Sequence, residues 1–91
     1  MTARTPDEIR AVFFDVLGSI APEADPAAID PEKPLREQID LDSMDFLNVI
    51  VRLHEVLAID IPEEDYAQLA TLNSALAYLA RHVAREGAAA R

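Results

Sequence analysis

A serine between two aspartates, in the segment Leu41-Asp42-Ser43-Met44-Asp45, is the group in this chain best placed to do chemistry. An apolar pattern of helical period begins at the same point. Asp42 can cap that helix by accepting backbone N–H bonds, which places Ser43 on the first helical residue. Unpaired N–H groups and the positive end of the helix dipole favour an anion there. These residues predict an attachment point for a phosphate-linked group.

A second interpretation makes Ser43 the nucleophile of a hydrolase, which requires a base within hydrogen-bonding reach. His54 lies on nearly the same helix face but ~16 Å away along the axis. No pattern in the sequence brings His82 to the serine, and the carboxylates of Asp42 and Asp45 would oppose an oxyanion. We therefore predict no catalytic residues and interpret the chain as not being an enzyme.

The sequence also matches no common metal site. It has no cysteine and two histidines, too few for a zinc site unless carboxylates complete it. The segment from Asp40 begins like a calcium-binding loop, but such a loop needs glycine at its sixth position and glutamate at its twelfth. Asp45 and Val51 stand at those positions. We predict no metal ligands.

Composition limits the class of protein and its partners. The 91 residues suit one domain, and the net charge is −9. Between Asp30 and Asp65 eleven acids face only three basic residues, a charge that would repel nucleic acid and anionic lipid and attract basic protein surfaces. The first residues lack the apolar stretch of a secretory signal, so we expect none, and no apolar run approaches the ~18 residues of a membrane span. We expect a cytoplasmic monomer without nucleic-acid or membrane partners.

Capping signals and apolar spacing predict where the helices lie. Thr5, Pro6 and Glu8 form a helix start with a capping box. The helix that follows has apolar residues at positions i, i+3, i+4, i+7, i+8 and i+11, namely Ile9, Val12, Phe13, Val16, Leu17 and Ile20. Four prolines then make residues 21–42 a long loop, anchored by Ile29, Leu35 and Ile39, with room for a short helical turn near Pro26–Ile29 or Leu35–Ile39.

Three further helices complete the predicted fold. One covers Ser43–Leu57, a short one covers Glu63–Leu69, and the last is capped by Thr71 and stops near Gly87. The last helix has the same apolar spacing as the first, at Leu72, Ala75, Leu76, Leu79, Ala80 and Val83. The expected fold is all-α: a small four-helix bundle with three long helices, a short third helix and a long first loop. We expect a domain over residues 5–86, with disordered ends at 1–4 and 87–91.

A helical projection from Ser43, at 100° per residue, separates two faces of the helix that begins there. The predicted core face consists of Phe46, Val49, Ile50, Leu53, Val56 and Leu57. A second, exposed stripe beside the serine mixes apolar and polar groups at Met44, Asn48, Val51 and Glu55, with Asp45 nearby. Such a mixture is typical of a surface that another protein contacts. The alternative is that Met44 and Val51 are rim residues of the bundle.

Taken together, these features resemble the acyl carrier proteins over about residues 9–79. The family's Asp-Ser-Leu/Met signature is matched by Asp42-Ser43-Met44. That triplet is weak alone, but further features fall at family-like spacing. They are Ile29 and Leu35 in the long loop, Ile39 four residues before the serine, Ile59-Asp60-Ile61-Pro62 after it, the acidic third helix, and Thr71-Leu72 at the start of the fourth.

The resemblance implies a carrier that partner enzymes modify and use. A phosphopantetheinyl transferase would attach 4′-phosphopantetheine, taken from coenzyme A, to Ser43. Its thiol would hold acyl intermediates as thioesters for fatty-acid, polyketide or related biosynthesis. The partners would be the transferase together with acyl-loading and biosynthetic enzymes, and the absence of cysteine agrees with a working thiol that the prosthetic group supplies.

Two departures and two alternatives accompany this resemblance. The family commonly has glycine where this chain has Asp40, and its fatty-acid members carry more acids along the second helix, where this chain has Asn48, Arg52 and His54. We therefore predict a specialised carrier. A D-alanyl, other aminoacyl or peptidyl carrier shares the attachment serine and the fold. A helical adaptor that is never modified belongs to another class, and for it Ser43 would be dispensable.

Overall fold

The computed structural model describes residues 5–89, which fold into helices joined by loops. The α-helices are α1 (Pro6–Ile20), α2 (Leu35–Gln38), α3 (Ser43–Leu57) and α4 (Leu72–Ala89), and the 3-10 helices are η1 (Pro26–Ala28) and η2 (Glu63–Leu69). α1 packs against α3 and α4, and η2 packs against α4. The predicted bundle of three long helices and one short one is confirmed. Within the described range, none of the helices combines the length and the apolar character needed to cross a membrane.

α1 begins with the predicted capping box. The Thr5 hydroxyl accepts the Glu8 N–H at 3.2 Å, and the Glu8 carboxylate accepts the Thr5 N–H at 2.8 Å. These bonds satisfy two donors that a helix start leaves unpaired. Four of the six predicted apolar positions are fully buried, namely Ile9, Phe13, Val16 and Leu17.

The proline-rich loop is held against the bundle rather than left free. Both predicted turns form, as η1 and α2. Ile29 and Leu35 are buried, which confirms them as anchors. The Leu35 N–H donates to the Ala70 carbonyl at 2.8 Å, and the Asn73 N–H donates to the Pro31 carbonyl at 3.0 Å. These bonds fix the segment before Ser43 to the start of α4.

The two later helices differ in part from the prediction. Thr71 does cap α4, since its hydroxyl accepts the Ser74 N–H at 3.1 Å. η2 occupies the predicted range with 3-10 rather than α geometry. The predicted stop at Gly87 is wrong, because α4 continues to Ala89. The nearby alanines Ala84, Ala88 and Ala89 favour helix and offset the ~1 kcal/mol that one glycine costs. Residues 1–4 and 90–91 lie outside the described residues, and the domain limits remain a prediction.

Tyr78 is a core residue that the apolar spacing did not identify. Its side chain is 0% exposed, and its hydroxyl donates to a carboxylate oxygen of Asp65 at 2.7 Å. The ring stacks on His82 with the centroids 4.0 Å apart. Since Asp65 belongs to η2 and Tyr78 to α4, this bond joins the short helix to the bundle.

Candidate functional site

Ser43 occupies the position that the sequence predicts. Asp42 has extended backbone angles, and its carboxylate accepts the Asp45 N–H at 2.8 Å. The Asp42 carbonyl accepts the Phe46 N–H at 3.0 Å, which closes the first turn of α3. Ser43 is therefore the first helical residue, and its side chain is exposed. An anion attached to its oxygen would lie at the positive end of a fifteen-residue helix.

Arg36 is a neighbour of Ser43 that the sequence analysis missed. Its Nε donates to the Leu41 carbonyl at 3.2 Å, and its Nη2 donates to the Ser43 hydroxyl at 3.3 Å. The bond to the Leu41 carbonyl orients the guanidinium, and the bond to Ser43 brings it within hydrogen-bonding distance of the serine oxygen. In the sequence the only signal is one arginine within an acidic segment. Contact depends on how the loop turns between α2 and α3.

The loop before the serine accepts aspartate at position 40 without strain. Glycine is needed where φ is positive, and among the described residues with side chains only Ala58, at 56°, has a positive φ. The backbone folds instead through bonds from the Ile39 N–H to the Leu35 carbonyl and from the Leu41 N–H to the Ile39 carbonyl. The departure at Asp40 therefore leaves the position of Ser43 intact.

The contacts of Ser43 do not provide a general base. A guanidinium has only donors and remains protonated, so Arg36 cannot remove the hydroxyl proton. The ring of His54 bonds to the Ile59 carbonyl at the far end of α3, and that of His82 bonds to the Tyr78 carbonyl. Over the part of the chain that is described, no three His, Cys, Asp or Glu side chains are grouped so that they could hold a metal ion.

The exposed face of α3 includes the predicted stripe and one residue more. Met44 and Val51 are 66% and 47% exposed, and Asn48 and Glu55 are exposed as predicted. Asp45 is half-buried. Leu47, which we had not placed on this face, is 40% exposed and lies one turn from both Met44 and Val51. We call Met44, Leu47 and Val51 the apolar strip.

The predicted core face of α3 needs one correction. Val49, Ile50, Leu53 and Leu57 are buried and Phe46 is half-buried, but Val56 is 40% exposed. Val56 lines a cavity of about 240 Å³ between α1 and α3, with Val12, Asp15, Val16, Ser19 and Arg52. The two helices do not close over this position, so a residue at the edge of the projected core face remains accessible.

A second cavity begins at Phe46, one turn along α3 from the serine. It has a volume of about 200 Å³ and is lined by Pro34, Arg36, Phe46, Tyr66, Ala67 and Ala70. Arg36 thus lines the cavity and also bonds to Ser43. The η2 helix contributes Tyr66 and Ala67 to its wall, so the size of the cavity depends on where η2 is held.

The family model and the similar proteins that match this chain indicate the same family. The family described as "Phosphopantetheine attachment site" matches residues 7–79. The chain is similar to the acyl carrier protein of Rubrobacter xylanophilus, with 29% identity over 75 residues that cover 82% of this chain and 86% of that one. The acyl carrier protein of Chlamydia trachomatis is 30% identical over 76 residues, covering 84% and 92%. The meromycolate extension acyl carrier protein of Mycolicibacterium smegmatis is 29% identical over 77 residues, covering 85% and 77%.

Proposed function

This chain belongs to the phosphopantetheine-attachment family of acyl carrier proteins, and on that premise we propose that Ser43 carries the group and that the protein presents acyl groups to partner enzymes. The observation that carries the proposal is the exposed Ser43 hydroxyl on the first residue of α3. The names of the similar proteins favour an acyl cargo over an aminoacyl one. The predicted specialisation stays a prediction.

When attached, phosphopantetheine supplies a terminal thiol on which an acyl group is held as a thioester. To receive the group, the Ser43 oxygen would form a bond to the phosphorus that carries the pantetheine arm of coenzyme A, and the bond from that phosphorus to the bridging oxygen of the pyrophosphate would break. Adenosine 3′,5′-bisphosphate would leave, and the hydroxyl proton would pass to the transferase. Asp42 contributes by holding the first turn of α3 in helical form, which keeps the serine oxygen exposed. On this proposal the chain positions the Ser43 hydroxyl, and the transferase supplies the base that removes its proton.

The 200 Å³ cavity supports the assignment of an apolar cargo. Phe46, Tyr66 and Ala67 provide an apolar wall next to the attachment point. The volume is below the ~300–1,000 Å³ of typical small-molecule pockets. In this conformation the cavity suits a short acyl segment, and we expect a longer chain to be sheltered there only if η2 moves away from α3. The length of acyl chain that the protein can shelter then depends on the contacts that hold η2 in place.

The apolar strip and its polar neighbours are the surface we assign to partner enzymes. Met44, Leu47 and Val51 offer apolar contact area, while Asp45, Asn48 and Glu55 add charge and hydrogen-bonding groups on the same helix. Association through exposed charge and a small apolar strip is weak and sensitive to salt. Weak docking suits a carrier that must leave each enzyme in turn, while the tether raises the effective concentration of the cargo.

The attachment is tested by incubating the unmodified protein with coenzyme A and a phosphopantetheinyl transferase, followed by intact-mass measurement. We expect a gain of one phosphopantetheine in the wild type and none in Ser43→Ala. Ser19→Ala is the matched control, because Ser19 is also exposed and helical, and it should be modified like the wild type. No gain in the wild type, or a gain that persists in Ser43→Ala, contradicts the proposal.

The cargo is tested on the modified protein with one enzyme of each class. We expect a fatty acyl or malonyl donor and its transferring enzyme to yield a thioester detected by intact mass. Amino-acid-activating enzymes with D-alanine or other amino acids should yield little product. Loading by an aminoacyl enzyme alone would assign the chain to the aminoacyl carriers instead, while leaving the attachment at Ser43 unaffected.

A further inference from the structure

The guanidinium of Arg36 donates a hydrogen bond to the Ser43 oxygen, to which the proposed group would be attached. Its Nη2 lies 3.3 Å from the Ser43 Oγ, and its Nε is held by the Leu41 carbonyl at 3.2 Å. An arginine has five N–H donors in a planar fork, so these two bonds leave donors over. The anchored Nε keeps the fork facing the serine, and little side-chain freedom remains to be lost on binding a ligand there.

The charge around Ser43 makes this contact significant. Asp42 and Asp45 flank the serine, and Asp40 precedes them. Esterification of Ser43 would add one more negative charge to this end of α3, and the nearby carboxylates would repel it. Arg36 is the cation that the structure places within hydrogen-bonding distance of the serine oxygen. A charge-assisted bond from a guanidinium to a phosphate oxygen is roughly twice as strong as a bond between neutral groups.

Esterification also changes the acceptor that Arg36 meets. The Ser43 oxygen would lose its proton and become the bridging oxygen of a phosphodiester. The negative charge would then lie on the two non-bridging oxygens, which are bonded to the phosphorus and so lie two bonds from Oγ. A fork that already reaches Oγ needs only a small rotation of the side chain to meet them.

From this geometry, and resting on the proposed attachment at Ser43, we infer that Arg36 binds the phosphodiester of the attached group and fixes the direction in which the arm leaves α3. Arg36 also lines the 200 Å³ cavity. An arm whose phosphate is held by Arg36 therefore starts at the edge of that cavity rather than pointing into solvent. Arg36 is a positioning residue: it binds the arm and takes no part in bond making.

The test compares the modified and unmodified forms of the wild type, Arg36→Gln and Arg36→Lys, with Arg52→Gln as the matched control. Arg52 is an exposed arginine further along α3 and loses the same charge. The difference in Tm between the two forms removes any effect of the substitution on the fold alone. A second readout, the ³¹P NMR shift of the phosphodiester, can be recorded even on partly modified protein.

We expect the modified-minus-unmodified Tm to be lower in Arg36→Gln than in the wild type by about 4–8 °C, because Arg36 is exposed and solvent weakens its charge-assisted bond to the size of an ordinary hydrogen bond. The difference should shrink in high salt. The ³¹P resonance should move in Arg36→Gln, less so in Arg36→Lys, and stay in place in Arg52→Gln. The lysine keeps the charge but not the fork.

If Arg36→Gln shows the same modified-minus-unmodified Tm difference and the same ³¹P resonance as the wild type, the inference is overturned. A mass gain in the wild type would still support the attachment at Ser43. Equal effects in Arg36→Gln and Arg52→Gln would also overturn the inference, since they would reflect net charge alone. Absence of any mass gain in the wild type would remove the attachment at Ser43 and the inference together.

Discussion

Substituting Tyr78 by phenylalanine tests how η2 is held to the bundle. The tyrosine side chain is 0% exposed, and its hydroxyl donates to Asp65 at 2.7 Å. Phenylalanine keeps the ring and its packing on His82, so the substitution leaves no large cavity. The change removes the Tyr78–Asp65 bond between α4 and η2, while the bond from the Arg81 Nη2 to the Gln68 Oε1 between the same helices remains.

The magnitude follows from the burial of the two partners. A hydrogen bond to a charged group contributes ~1.5–3 kcal/mol, and the lower half applies because Asp65 is only half-buried and can regain water. We expect a loss of about 1.5–2 kcal/mol from a free energy of unfolding that is roughly 5–14 kcal/mol for a chain of this length. This loss of free energy corresponds to a fall in Tm of roughly 6–16 °C.

The assay is urea unfolding followed by circular dichroism, carried out as a double-mutant cycle. Tyr78→Phe, Asp65→Asn and the double variant are compared with the wild type. Tyr66→Phe is the control, because it removes the same atom from a half-buried tyrosine on η2. We expect a coupling energy of ~1 kcal/mol or more between Tyr78 and Asp65. A loss below ~0.5 kcal/mol for Tyr78→Phe, or additive single effects, would refute the reasoning.

Two further substitutions test the assignment of the α3 faces. Leu53 is 0% exposed, so Leu53→Ala should cost ~2.7–5 kcal/mol by leaving a cavity, whereas Val56→Ala at the exposed edge should cost less than ~1 kcal/mol in the same denaturation assay. Equal losses would contradict the burial of the two residues. Met44 is 66% exposed, and Met44→Glu should change stability by less than ~0.5 kcal/mol yet slow modification by the transferase, measured by intact mass over time. Ala77→Glu, an exposed position on α4, is its control, and unfolding of Met44→Glu or equal rates in the two variants would argue against a docking role.

The parts of the fold that were predictable are those governed by neighbours in the sequence. The capping box of Thr5 and Glu8 and the cap at Asp42 depend on groups three residues apart, so their bonds can be read from spacing alone. The range Ser43–Leu57 was correct at both ends, with its start set by the Asp42 cap and its end by the break that begins at Ala58. Apolar spacing also identified most of the buried faces, since period and burial are directly linked in a helix.

Two of the errors fall where packing between helices decides burial. Val56 lies on the projected core face, but α1 and α3 separate there and leave it accessible. Tyr78 was missed because it is the sixth residue after Leu72 and falls outside the apolar spacing of α4, and its partner Asp65 is thirteen residues away. The predicted end at Gly87 was wrong for a local reason, because Ala84, Ala88 and Ala89 favour continuing the helix.

For the candidate site, the sequence by itself determined the serine, its cap and its place on the first turn of α3, because helix starts are set by residues within one turn of each other. Only the tertiary structure decided what surrounds that serine. Bonds from Leu35 to Ala70 and from Asn73 to Pro31 fold the proline-rich loop against α4. As a result Arg36, seven residues before Ser43, reaches its hydroxyl and lines the adjoining cavity. Loop placement of this kind depends on contacts between distant segments, which spacing along one chain does not encode.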